Sequence, residues 1–277
     1  MAMAWRCLAK TSKIIIGTGI TPPILRYHPA IVAQVFATLG FMFPGRVFLT
    51  VGRGEALNEV SSGNQWPSNK ERFERLKEAI HLIKKLWTEE WVTFKGEFYW
   101  VKDSNLYTKP KNPIPLYIAG LGPQSARLAG QEGDGLVTNE IDTEKIKSKL
   151  FPAFNEGAKT AGKDYSSLEK VLFIPASYDE DKQKAIESIG FWKGAMIKAF
   201  YEADIHDPRK IEENGEVVGN DVMEKVAIVM SNAEEGIKKL KKYVDLGFTE
   251  IVLTNSSPIR EKLVKLIAKE VAPQLEK

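Results

Sequence analysis

Cysteine is nearly absent from this chain: Cys7 is the only one in 277 residues. No disulfide can form within the chain, and a cysteine-based zinc site is implausible. Histidine is almost as scarce. His28, His81 and His206 lie far apart and make no metal-ligand spacing, so no metal site is expected. Neither sign of charge is in large excess. The 39 basic and 36 acidic residues leave a net charge of +3, too balanced to imply nucleic-acid or membrane binding. No apolar run is long enough to span a membrane, and the opening Met-Ala-Met-Ala-Trp-Arg lacks a signal-peptide core. These absences set a reducing, cytoplasmic location as the expectation. Linkers, repeats and low-complexity stretches are missing too, so residues 1–277 read as a single domain.

What is present suits a globular α/β protein. Hydrophobic residues make up 43% of the chain, enough for a sizeable core. Strand-like and helix-like segments alternate. Residues 13–18, 46–52, 114–119, 134–138, 170–178 and 250–254 read as six strands. Helices are expected over 28–41, 68–87, 122–130, 143–162, 232–246 and 258–271. The stretch from Asp179 to about Met223 reads as mainly helical, with breaks at Gly190, Pro208 and Gly219. In the helix from Ser68, Ser68 and Glu71 form a capping-box pattern, and Phe73, Leu76, Ile80, Ile83 and Trp87 make a core-facing stripe. His81 falls within this helix and reads as structural. Alternation around Lys95-Gly96 predicts a small hairpin over 91–101. Alternating strands and helices imply parallel β-α units. No Gly-x-Gly-x-x-Gly follows the first strand, which argues against a dinucleotide-binding fold.

The most informative stretch is Phe43–Glu59. The apolar run Val47–Val51 ends in Gly52-Arg53-Gly54, and Glu55 follows at once. A buried strand, two glycines that permit a tight turn, and a carboxylate at the strand's carboxyl end are how α/β enzymes present an ionisable group. The plainer reading is that Glu55 merely caps the helix that begins there. The spacing leaves both open.

From Ile14 to Pro273 the sequence resembles the luciferase-like superfamily of (β/α)8 TIM barrels. Within it, the resemblance runs to the coenzyme F420-dependent oxidoreductases, and most to the F420-dependent glucose-6-phosphate dehydrogenase group. The carrying segments are Gly17-Thr18-Gly19-Ile20, Arg26 to Gln34, Arg46 to Gly52, Gly54-Glu55-Ala56-Leu57-Asn58-Glu59, Glu71 to Ala79, Tyr117 to Pro123 and Ala129 to Gly135. The resemblance implies hydride transfer between a small alcohol or sugar phosphate and a deazaflavin. It makes Glu55 the active-site glutamate and Asn58 a cofactor contact. Gly19 and Ile20 match a non-proline cis peptide against which the deazaflavin ring rests. Leu121, Gly122 and Pro123 match the loop that receives the cofactor's phosphate-bearing tail. A glycine-containing loop opening a helix gives that last role a physical reason of its own.

Departures from the family pattern matter as much. The family's first two β/α units precede the segment matching residues 13–18, and the second carries a histidine and a tryptophan of the site. The resemblance therefore implies an incomplete barrel with exposed sheet edges and weak or no turnover. A threonine and a lysine that hold the sugar phosphate in the dehydrogenases correspond to Asn139 and Asp142, and an aspartate repels phosphate. Lys225 still matches a phosphate-contacting lysine, and Arg260 lies near a family arginine; both are candidate substrate contacts. Two alternatives stay open: an FMN-dependent monooxygenase of the same superfamily, and a non-catalytic barrel that binds a ligand or partner. A small-molecule substrate is expected in the enzymatic readings, with a homodimer as the assembly they allow.

Overall fold

In a computed structural model, described for residues 2–196 and 205–275, the contacts group into two compact units. The first holds residues 1–136 and 152–168, the second 137–151 and 169–277.

The first unit is built on neighbouring strands in the order β1 (Ile16–Gly17), β2 (Val47–Val51), β5 (Leu116–Ala119) and β6 (Gly135–Thr138). The units divide within β6. β1 pairs with β2 and β2 with β5, both in parallel. Leu49, Val51, Leu116 and Ile118 are buried completely or nearly so, as expected of strands covered on both faces. Gly17 lies against the Phe48 ring across the β1–β2 pair. The first strand is shorter than the expected 13–18: Ile14 and Ile15 are exposed and stay outside the ladder.

The helices Pro29–Met42 and Asn69–Thr88 of this unit pack against each other. Pro29–Met42 starts at His28, whose Nδ1 accepts the Ala30 N–H at 3.2 Å. Asn69–Thr88 starts at Ser68, whose hydroxyl accepts the Glu71 N–H at 3.2 Å. Half of the predicted capping box forms; the Glu71 carboxylate instead pairs with Arg75 at 2.8 Å. The stripe Leu76, Ile80, Ile83 and Trp87 is buried, and Trp87 Nε1 donates to the Ala33 carbonyl at 2.9 Å, tying the two helices together. The predicted hairpin is present as β3 (Val92–Lys95) and β4 (Trp100–Ser104), antiparallel.

A helix over Ala2–Lys10 was not expected. Arg46 holds its end: the guanidinium donates to the carbonyls of Leu8, Thr11 and Ile14 and to the Thr11 hydroxyl. One arginine thereby satisfies carbonyls at and just beyond a helix end that would otherwise be left bare.

The second unit centres on β7 (Glu169–Tyr178), which pairs in parallel with β8 (Ile228–Met230) and β9 (Glu250–Asn255). Among the described residues, β8 raises the parallel strands from the expected six to seven. Three residues are too few to show a period. Ile228, Val229 and Met230 are all buried, and Val229 packs in a cluster with Ala185, Ile186 and Ile189 of the helix Lys182–Ile189. The helix Ala233–Leu246 stops at Gly247, whose φ of 99° is the left-handed conformation that closes helices. Of the expected helical stretch after Asp179, the structure shows Lys182–Ile189, a 3-10 segment Gly190–Met196, Pro208–Gly215 and Asn220–Val226. Residues 197–204 lie outside the described residues.

Candidate active site

The strands β1, β2 and β5 are neighbours and parallel, so the segments that follow them leave the sheet at the same edge. Residues Gly19 and Ile20 follow β1, Gly52 to Asn58 follow β2, and Leu121 to Pro123 follow β5. The Gly19–Ile20 peptide is cis, as the resemblance implied. The chain then returns to the sheet: the Thr21 N–H donates to the Thr50 carbonyl at 2.9 Å, and the Gly52 N–H to the Thr21 carbonyl at 3.3 Å. A Cβ placed on Gly52 would meet Ile20 Cγ2 at 3.1 Å and Ala119 Cβ at 3.5 Å. Glycine at 52 therefore lets the bulge after β1 sit directly over the ends of β2 and β5.

Gly54 makes the turn that exposes Glu55. Its φ is 71°, a conformation glycine adopts freely and other residues adopt at a cost. Glu55 occupies the N-cap position of the short helix Ala56–Glu59, yet its side chain makes no cap hydrogen bond. It accepts instead from Asn58 Nδ2 at 3.2 Å. That geometry decides against the capping reading of Glu55. Burial pushes the Glu55 carboxyl above the usual carboxylate range, while the Arg26 charge and the Asn58 hydrogen bond pull it back. A carboxyl balanced in this way can hold a proton nearer neutral pH than an exposed one.

Gly122 is the N-cap of the helix Pro123–Glu132 and supplies no capping side chain. A Cβ there would meet nothing within 4 Å. The first turn of this helix opens onto free space, the setting in which backbone N–H groups receive an anion. The residues present thus fit a flat ring against Ile20 and a charged tail at Gly122.

Two residues that sequence reasoning gave no role join this constellation. Glu59 is completely buried and accepts the Arg26 N–H at 3.1 Å. Its Oε1 lies 3.3 Å from Arg26 Nε. Both residues stand in quoted motifs, but nothing in the sequence told a buried glutamate from a solvated one.

The remaining candidates lie in the second unit. Lys225 is largely exposed on the helix Asn220–Val226, 3.7 Å from Asp221. Arg260 opens the helix Arg260–Leu266, is exposed, and gives its carbonyl to Asn255 Nδ2 at 2.9 Å. Asp142 is an N-cap, accepting from the Glu144 and Lys145 N–H groups at 3.0 and 3.2 Å. Glu140 beside it accepts from the Ile141 and Asp142 N–H groups and pairs with Lys145. His28 is a cap residue packed edge-on against Tyr99, and burial lowers its imidazole. Among the described residues, no group of three or more His, Cys, Asp or Glu could hold a metal, and no helix is long and apolar enough to cross a membrane.

Comparison with known proteins bears on all of this. The family model for luciferase-like monooxygenases matches residues 1–250. The chain is 39% identical over 270 residues to the F420-dependent glucose-6-phosphate dehydrogenase of Microbacterium testaceum, covering 97% of this chain and 80% of the relative. It is 40% identical over 278 residues to the enzyme of the same name from Segniliparus rotundus, covering 99% and 83%. Its fold superimposes on an F420-dependent secondary alcohol dehydrogenase in complex with an F420–acetone adduct. That match has a TM-score of 0.96 and 38% identity, with 100% of this chain and 84% of the other covered. The F420-dependent tetrahydromethanopterin reductase of Methanopyrus kandleri, at 22% identity and a TM-score of 0.79, shares the fold. The parallel α/β architecture, the shared motifs and these matches agree: this chain belongs to the luciferase-like family of α/β-barrel proteins, in its F420-dependent oxidoreductase branch.

Proposed function

We propose that this chain is a coenzyme F420-dependent dehydrogenase that oxidises an uncharged secondary alcohol rather than a sugar phosphate. The bound cofactor supplies a two-electron acceptor that takes hydride from the alcohol carbon. The chain's own part is to position and to handle the proton. Ile20 provides an apolar rest for the ring above Gly52 and Ala119, Asn58 orients the Glu55 carboxyl, and the N-terminus of Pro123–Glu132 receives the anionic tail. Glu55 holds or passes a proton on its carboxyl, which Asn58 anchors by donating to Oε2, and its raised pKa suits it to that exchange.

The observation that carries the substrate class is the loop after β6. The resemblance puts the sugar phosphate there, but in this chain Glu140 and Asp142 bring two carboxylates. Their oxygens already take up the N–H groups of Ile141, Asp142, Glu144 and Lys145, and Lys145 is paired with Glu140. The donors a phosphate needs are spent, and the local charge opposes it. The relative in complex with an F420–acetone adduct is named for secondary alcohols, which supports the same reading.

The test is the reduction of F420, followed by its absorbance, with a secondary alcohol and with glucose 6-phosphate in parallel, and FMN as the alternative cofactor. The expected result is turnover with the alcohol and F420, weak as the departures from the family pattern imply, with kcat/KM for the sugar phosphate lower still by about tenfold or more. Preference for glucose 6-phosphate overturns the substrate assignment. Turnover with FMN but not F420 overturns the cofactor.

A further inference from the structure

Glu59 is a completely buried acid beside this site, and carboxylates are seldom buried without strong partners. Its partner is Arg26, but the fit is loose. The Arg26 backbone N–H reaches Oε2 at 3.1 Å. The guanidinium Nε stands 3.3 Å from Oε1 without hydrogen-bond geometry, and neither atom has another partner. A buried pair of this kind is a poor source of stability, because the desolvation of two charges offsets much of their attraction.

Its place explains more. Positions for a Cβ on Gly54 lie 3.3 Å from Glu59 Cγ, 3.4 Å from Glu59 Oε1 and 3.2 Å from Pro22 Cβ. The Glu59 N–H donates to the Glu55 carbonyl at 3.1 Å. The pair is thus wedged beneath the Gly54–Glu55 turn, one helical turn from Glu55 and next to the segment that follows the cis bulge.

We infer that Glu59 is a positioning residue: it holds Arg26 beneath the turn that carries Glu55 and offsets part of the positive charge that Glu55 meets. This rests on the reading of Glu55 as the proton-handling group. Glu55 meets Arg26 from the segment after β1 and Asn58 from its own helix. Burial raises the Glu59 carboxyl, while the Arg26 N–H and the Arg26 charge pull it back, so its offset of Arg26 is full only above that raised range. From the hairpin it faces the Tyr99 hydroxyl, whose own surroundings include Arg75 and Glu78. Tyr99 gives its proton to the Ile24 carbonyl at 2.7 Å, which leaves Arg26 as the group both glutamates share.

The two halves of the pair act on Glu55 in opposite directions, and this makes the inference testable. Glu59→Gln leaves the Arg26 charge uncompensated, which favours ionised Glu55 and moves its titration to lower pH by about one unit. Arg26→Gln removes the positive charge and moves it up by about as much. The double variant returns close to the wild type, and Arg26→Lys, which keeps the charge, shifts little. The readout is carboxyl 13C NMR of the cofactor-free protein, with the Glu55 signal assigned through Glu55→Gln, alongside the pH profile of F420 reduction. Single variants that shift together, or that stay folded and do not shift, overturn the inference. If Glu59→Gln does not fold, an unmoved Glu55 titration in Arg26→Gln overturns it. A wild type that never reduces F420 counts against the proposed function, while the NMR titration still decides the role of Glu59.

Discussion

The loop after β2 and the loop after β6 each carry two carboxylates past the end of a strand. After β2 these are Glu55 and Glu59; after β6 they are Glu140 and Asp142. In the first loop Glu55 sits at a helix start and makes no cap bond. Its carboxyl is left for Asn58, with Glu59 and Arg26 beneath it. In the second loop the acids brace the backbone: Asp142 caps a helix and Glu140 accepts from two N–H groups and pairs with Lys145. In our reading, carboxylates at equivalent topological positions handle a proton in one loop and brace the backbone in the other. The difference lies in who satisfies the oxygens. In the second loop backbone N–H groups and Lys145 occupy the oxygens, whereas burial with a single amide partner leaves the protonation of Glu55 adjustable.

Several measurements sharpen or break this contrast. The largest effect is expected from Glu55→Gln. Loss of a positioned proton-handling group lowers kcat by about 10²–10⁴-fold. The folded state, freed of a carboxylate whose burial disfavours charge, keeps or raises its Tm at pH 7. The sign follows from the raised pKa. Stability from such a group is full below the ordinary carboxylate range and is lost as pH rises through the raised value, so at neutral pH the neutral amide costs nothing. Paired kinetics and thermal unfolding check both halves, and a Tm drop with preserved kcat would show Glu55 to be structural.

Gly54→Ala comes next. It forces a left-handed φ on a residue with a side chain and drives that side chain against Pro22 and Glu59. About 1–2 kcal/mol of stability should be lost, with kcat falling as Glu55 is displaced. Chemical denaturation with unchanged slope measures it, and a neutral result would mean that the turn has room the structure does not show.

The smallest effect is expected from Asp142→Asn. The amide still caps the helix, so stability changes by less than about 1 kcal/mol. Removal of the charge should raise the ratio of kcat/KM for glucose 6-phosphate to that for a secondary alcohol by a few-fold. An unchanged ratio would remove Asp142 from the account of specificity.

The sequence by itself determined the elements whose signal is local. Ser68 marks its helix start because a hydroxyl there meets a free N–H. Gly247 marks a helix end because only its φ closes the turn cheaply. The run Val47–Val51 with Gly52 and Gly54 placed Glu55 at a strand end, and the motifs around it pointed to the family. Tertiary structure alone decided the rest. β8 has three residues and no readable period, so only its pairing with β7 makes it a strand. Ile14 and Ile15 look like strand residues yet stay outside the ladder, because β-propensity counts only where a neighbour offers its edge. Glu55 and Glu59 are the same residue four positions apart. One holds the site's proton in our reading and the other is sealed against Arg26. Burial set that division, and burial is a property of what packs around a residue rather than of the residue itself.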